Sequence, residues 1–178
     1  MCCCVRCRIY LGIRINEMVV EKSIAERLVS IEVQCAGADD LDAIAAVEAE
    51  SYAYPWSRNL IQGSLESVHA LNFVARGRHE PVIHGFILNL LIADELHILN
   101  LAVHPLSRRS GIGNLLMETS LAAAREHKAS SAFLEVRRSN IQALTLYIKQ
   151  GFSVIGVRRG YYSDNREDAL VMKKSMGR

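Results

Sequence analysis

The chain has 178 residues, 50% of them hydrophobic, and a formal net charge of +2. Such a chain buries one substantial core and leaves little room for a second full domain. The near balance of charge, with basic residues scattered rather than gathered in a tail, argues against nucleic acid as a partner. No apolar run reaches the roughly eighteen residues of a membrane-spanning helix.

Cys2, Cys3, Cys4 and Cys7 crowd the start, while Cys35 lies further on. That spacing is no disulfide framework, and no second Cys or His pair stands near enough to complete a zinc site, so no metal is expected. A clean signal core is absent, as is a myristoylation glycine after Met1, and a cytoplasmic location without membrane attachment is the expectation. Residues 1–28 read as an extension outside the fold, with Met18 as an alternative initiator, and residues 29–178 as the domain.

Ile31, Val33 and Cys35 alternate with Glu32 and Gln34 as in a half-buried strand. Asp39 or Asp40 can cap a helix whose apolar positions Leu41, Ile44, Ala45 and Val47 recur up to Ser51. Pro55 breaks the pattern, and Ser57 can cap a short helix through Leu60, Ile61 and Leu65. Three strands follow, Leu71–Ala75, His84–Ile92 and Leu96–Val103, and their short links imply antiparallel neighbours. A helix with Ile112, Leu115, Leu116, Thr119 and Ala123 on one face then leads to a buried strand, Ala132–Val136, an order that pairs the flanking strands in parallel. Ser139 or Asn140 caps a further helix, Gly151 suits its left-handed end, and Ser153–Val157 with Ala169–Met172 completes a final strand pair.

Between the third and fourth of these strands lies Arg108-Arg109-Ser110-Gly111-Ile112-Gly113-Asn114. A helix start carries unpaired N–H groups and the positive end of the macrodipole, the glycines admit close approach, and the arginines add charge, so the turn suits an anion such as a pyrophosphate. It is neither a dinucleotide fingerprint, since Leu116 replaces the third glycine, nor a P-loop, since no Gly-Lys-Ser/Thr follows. Alone it also fits a plain strand-to-helix connection. With the preceding Ala102-Val103, however, Arg108-x-x-Gly111-x-Gly113 resembles the coenzyme A turn of the GNAT superfamily of N-acetyltransferases. The element order is similar too, and it implies an α/β (α+β mixed) fold: a mixed sheet with helices on both faces and two central parallel strands that splay apart.

Acetyl transfer from a thioester to an amine needs a base, a polarised carbonyl and a proton for the leaving thiolate. Glu135 stands in the apolar strand Phe133-Leu134-Glu135-Val136, where burial would raise its pKa and suit it as a base; a Glu in such a strand also commonly faces solvent. Tyr147, on the next helix, offers a phenolic proton or an ordinary core contact. Asn140 caps that helix with hydrogen-bond capacity to spare. No cysteine near these motifs suggests a covalent route.

Leu134-Glu135-Val136-Arg137-Arg138-Ser139-Asn140, Leu146-Tyr147, Gly151-Phe152, Tyr54-Pro55-Trp56-Ser57 and Arg158-Arg159-Gly160-Tyr161-Tyr162 together resemble the bacterial ribosomal-protein alanine N-acetyltransferases of the RimI type. The resemblance implies Glu135 as proton acceptor and Tyr147 as proton donor. It further implies acetyl-CoA binding by Leu101, Ala102, Val103, Arg108, Arg109, Ser110, Gly111, Ile112, Gly113, Asn114 and Asn140. Tyr54, Trp56, Tyr161 and Tyr162 are candidates to line the acceptor groove, or simply pack at loop edges. Ser163 stands where such sequences often carry proline, which changes the rigidity of the tyrosine loop.

The acceptor that the resemblance implies is a protein N-terminus, the alanine of a small-subunit ribosomal protein, attacked directly in a ternary complex. An α-amine loses its proton roughly 3.5 kcal/mol more readily than a lysine amine, which agrees with that acceptor. The cofactor motif alone fits lysine or small-molecule amines equally, and a non-catalytic acyl-CoA-binding protein is a reading from another class.

Overall fold

The alternation of Ile31, Val33 and Cys35 becomes strand β1 (Ile31–Cys35) in the computed structural model, which describes residues 31–78 and 81–177. The proposed extension over residues 1–28, with its cysteines, lies outside the described residues. Helix α1 (Leu41–Ser51) follows a 3-10 turn over Ala38–Asp40. Asp40 stands at the cap position but its carboxylate does not cap the helix; it accepts the Gly37 N–H at 3.0 Å and pairs with Arg76. The expected side-chain cap is therefore replaced by a tie from the helix start to the sheet. Helix α2 (Arg58–Glu66) does begin on Ser57, whose hydroxyl accepts the Leu60 N–H at 3.3 Å.

Strands β2 (Phe73–Gly77), β3 (Ile83–Ile92) and β4 (Glu95–Val103) form an antiparallel meander. The first starts at Phe73 rather than at Leu71. Asn72 bonds β3 through its side chain, giving Nδ2 to the Ser64 carbonyl at 2.9 Å and accepting the Asn89 N–H on Oδ1 at 2.7 Å, while its own carbonyl accepts the Ala36 N–H at 2.9 Å. Helix α3 (Ile112–Glu126), strand β5 (Ser131–Arg137), helix α4 (Ile141–Lys149) and strands β6 (Ser153–Arg158) and β7 (Ala169–Ser175) complete the order. Asn140 caps α4 by accepting the Ala143 N–H at 3.1 Å, and Gly151 ends that segment with φ +86°.

The strands form one seven-stranded sheet in the order β1-β2-β3-β4-β5-β7-β6, parallel only between β4 and β5. Alternate residues serve its two faces. Phe73, Ala75 and Ile87 pack into the core with α3 and α4, whereas Val74, Phe86 and Leu88 pack with α1 and α2. The fold is thus the mixed α/β sandwich of sheet and helices expected above. Among the described residues, no helix is long and apolar enough to cross a membrane.

Two irregularities shape the middle of the sheet. The β3–β4 register shifts between Leu88 and Asn89, so that Asn89 faces Ile98, Leu88 faces Asn100, and Leu99 is an extra residue. That insertion reverses the alternation along β4: Leu96 and Ile98 pack on the α3 side, but beyond it Leu101 and Val103 do, while Ala102 packs with α1. At the same place β4 and β5 part. Their parallel ladder runs from Glu95↔Ser131 to Ile98↔Leu134 and stops, although β4 continues to Val103 and β5 to Arg137. A cleft opens between the two strands where the ladder ends.

Candidate active site

The cleft holds two cavities that meet at Tyr52, Leu101 and Tyr147. One, of about 540 Å³, lies between the unpaired end of β4, the turn before α3 and the start of α4. Backbone groups of β4 and of the turn before α3 supply polar groups to its wall. Leu101 gives its carbonyl to the Tyr52 hydroxyl at 2.6 Å, and Val103 gives its carbonyl to Arg108 Nε at 3.2 Å, so both residues turn their backbone polar groups away from β3. His104, one residue further, points the other way and donates its N–H to His84 on β3. The N–H groups of Leu101 and Val103 share the side of their own carbonyls and therefore face the cleft, where β5 no longer pairs with them.

The turn Arg108–Gly111 leads into α3 through two left-handed residues, Arg109 at φ +60° and Gly111 at φ +87°. Gly111 occupies the cap position and offers no side chain, so the first N–H groups of α3 remain without a side-chain partner at the cavity wall. That is the arrangement an anion requires. Gly85 on β3 lets α3 sit close: a Cβ there would meet the Ala102 carbonyl oxygen at 2.8 Å and Ile112 Cγ2 at 3.2 Å.

The predicted cofactor residues Leu101, Ala102, Val103, Arg108, Arg109, Gly111, Ile112, Gly113, Asn114 and Asn140 all line this cavity; Ser110 does not, its hydroxyl being turned back to the Ser107 carbonyl. Arg108 keeps its charge at the cavity but has a structural task as well. Its Nε bonds the Val103 carbonyl and its Nη2 the Ser51 carbonyl at 3.1 Å, so the guanidinium chiefly fastens the end of α1 to β4. Arg109 makes no such bond among the described residues. Asn114 is engaged as well, accepting from Gln150 at 2.6 Å and thereby joining α3 to the end of α4.

The other cavity, of about 460 Å³, is walled by side chains. Tyr54, Trp56, Tyr161, Tyr162 and Glu135 all line it, which brings together residues from the α1–α2 loop, β5 and the β6–β7 loop. Tyr161 and Tyr162 meet edge to face with ring centres 5.2 Å apart. Arg137 holds this loop onto β5: its guanidinium lies 3.7 Å from the Tyr162 ring centre and pairs with Asp164 at 2.9 Å and Glu167 at 3.4 Å. Glu167 also accepts the Ser139 N–H at 2.7 Å, and hydrogen bonds from Ser139 lower its pKa to about 2.

Of the two placements open to Glu135, under the sheet or facing solvent, the structure has the second. Its side chain is 29% exposed and pairs with Arg158 Nη1 at 3.1 Å, because alternation along β5 sends Ala132, Leu134 and Val136 into the core with α3 and α4 and leaves Phe133 and Glu135 on the other face. Tyr147, by contrast, is buried, packs on Phe152 and borders both cavities. Its hydroxyl makes no hydrogen bond among the described residues, and burial pushes the phenol above its ordinary range. The proton stays on the oxygen at neutral pH.

Several residues at this site escaped the sequence reading. Glu48 and Tyr52 carried no expected role, and Arg137 and Glu167 stood only within motifs of the family resemblance, with no role of their own. The only hint was the helical spacing of Glu48 with the buried Ile44, which puts a carboxylate near a core-facing stripe.

The sequence over residues 39–152 matches the model of the acetyltransferase (GNAT) family, and the chain belongs to that family. Within it, the chain is 33% identical over 135 residues to the [ribosomal protein bS18]-alanine N-acetyltransferase of Escherichia coli K12, covering 75% of this chain and 89% of that one. The crystal structure of the ribosomal-protein-S18-alanine N-acetyltransferase from Escherichia coli superposes with a TM-score of 0.78 at 29% identity, over 83% of this chain and 95% of the other. Chaetomium thermophilum Naa20, solved in complex with a bisubstrate analogue, matches with a TM-score of 0.72 at 28% identity, over 82% and 86% of the two chains.

Proposed function

We propose that the chain transfers the acetyl group of acetyl-CoA to the α-amine of a protein N-terminus, with the N-terminal alanine of a small-subunit ribosomal protein as acceptor. The observation that carries this reading is the meeting of the two cavities at Leu101 and Tyr147, with Glu135 on the acceptor side. A cofactor lying along β4 with its pyrophosphate at the α3 start would bring its thioester to that point. The fit rests on the donor groups of this chain: cleft-facing N–H groups on β4 and an uncapped helix start. The similarity to bS18-alanine N-acetyltransferases supports the choice of acceptor.

In the proposed reaction the neutral α-amine attacks the thioester carbonyl carbon directly, forming the C–N bond while the oxygen is held by β4 N–H groups. Glu135 accepts the amine proton, directly or through water. As the C–S bond breaks, Tyr147 gives its proton to the departing sulfur. Tyr147 carries that proton at neutral pH, as a phenol does, and its burial holds it in the protonated form. Tyr54, Trp56, Tyr161 and Tyr162 would line the path of the acceptor peptide.

Glu135→Gln tests the assignment. Acetyl-CoA should bind with unchanged affinity by calorimetry, while kcat falls by about 10²- to 10⁴-fold, the usual weight of general base catalysis. Unchanged turnover at saturating substrates would remove Glu135 from the role of base.

A further inference from the structure

Glu48 is 1% exposed on the last full turn of α1, in the wall of the acceptor cavity, and no step of the proposed reaction uses it. A carboxylate so buried needs partners. It has two, and they come from different parts of the site. Oε1 accepts the backbone N–H of Trp56 at 2.9 Å, and Oε2 accepts Asn100 Nδ2 at 3.0 Å. Trp56 belongs to the loop with Tyr54 on the acceptor side; Asn100 sits on β4 between the extra residue Leu99 and Leu101, just past the point where the strands part. Neither donor is cationic, and no ion pair involving Glu48 occurs among the described residues.

We propose that Glu48 is a positioning residue that sets the acceptor loop against the cofactor strand, through a buried carboxylate bridging the Trp56 N–H and the Asn100 side chain. The inference rests on the acyl-transfer reading above. Its physical basis is that a side chain presenting two acceptor oxygens can hold two donors from separate elements at once. Burial pushes the Glu48 carboxyl above its ordinary value, and the bonds from Trp56 and Asn100 oppose that shift, so the bridge itself favours the ionised form. Without the bridge, Trp56 N–H and the Asn100 amide would each lose a partner, and the loop would no longer be indexed to β4.

The bridge is separable from any role of charge. Glu48→Leu keeps the apolar bulk and removes both acceptors. Glu48→Gln keeps an oxygen for the Trp56 N–H, and its amide can bond Asn100 once that amide turns its oxygen inward. On the acceptor that the unmutated chain uses best, Glu48→Leu should raise acceptor KM and lower kcat/KM at least tenfold, with acetyl-CoA affinity within about threefold of the parent, on the scale of a buried donor left unpaired. Glu48→Gln should recover most of that loss. Asn100→Ala, which cuts one arm and leaves Glu48 Oε2 without its donor, should show the same selective loss, and it serves where Glu48→Leu does not fold. Equal loss of acetyl-CoA affinity, parental activity in both Glu48→Leu and Asn100→Ala, or a Glu48→Gln variant as impaired as Glu48→Leu would each overturn the proposal. Failure of the unmutated chain on peptides, with turnover of another amine, would count against the acceptor reading alone, because the variants are compared on whichever amine is used.

Discussion

The two sides of the cleft are built from different materials. On the proposed cofactor side the donors are backbone groups: the unpaired stretch of β4, the left-handed turn at Arg109 and Gly111, and the open start of α3. The acceptor side is mostly side chain: the Glu48 bridge, the tyrosine pair, and Arg137 fastening the β6–β7 loop. Backbone N–H groups survive most side-chain changes, and only a substitution that removes the N–H or moves the backbone, such as proline or a branched residue at a left-handed position, alters them. Side-chain walls are open to change at each position, and under the proposed function acceptor selection would be set there.

If this division holds, damage to each side should appear in a different kinetic constant. The largest effect after loss of Glu135 is expected at Gly111→Val, which forces a β-branched residue to φ +87° and displaces the N–H groups at the start of α3. Acetyl-CoA affinity should fall by about tenfold or more, from a strain of roughly 1–3 kcal/mol, while the KM for the acceptor stays near the parental value. Isothermal titration together with steady-state kinetics separates the two. Arg137→Gln is expected to act in the opposite sense and less strongly. Removing the cation from Tyr162, Asp164 and Glu167 loosens the acceptor loop, and peptide KM should rise by about three- to tenfold with acetyl-CoA affinity unchanged. A Gly111→Val defect confined to the peptide, or an Arg137→Gln defect confined to acetyl-CoA, would break the division.

The same contrast explains what could be read before the fold was known. Gly111 before an amphipathic helix, and Asn140 and Gly151 around another, are local signals, because helix starts and ends are decided by a few neighbouring residues. The element order followed from periodicity, and the parallel pairing of β4 with β5 from the intervening helix. The Leu99 insertion and the length of the β4–β5 ladder were not legible, since both depend on how strands far apart in sequence settle into register. Glu135 illustrates the consequence. Its place on the outward face of β5 follows from alternation, but its pairing with Arg158 and its position beside the end of the ladder depend on how β5, β6 and β7 settle together. The Glu48 bridge joins residues 48, 56 and 100, and Arg137 reaches residues 162 to 167; such contacts leave no spacing pattern in the chain.

The central claim is that this cleft delivers an acetyl group to an α-amine rather than to a lysine. Its most direct test is one peptide that begins with alanine and carries an internal lysine, incubated with the protein and acetyl-CoA and then mapped by fragmentation mass spectrometry. The predicted result is a single acetyl group on the alanine nitrogen, formed by the unmutated chain and lost in Glu135→Gln. Acetylation of the lysine instead, or no acetylation while a small-molecule amine is modified, would contradict the account.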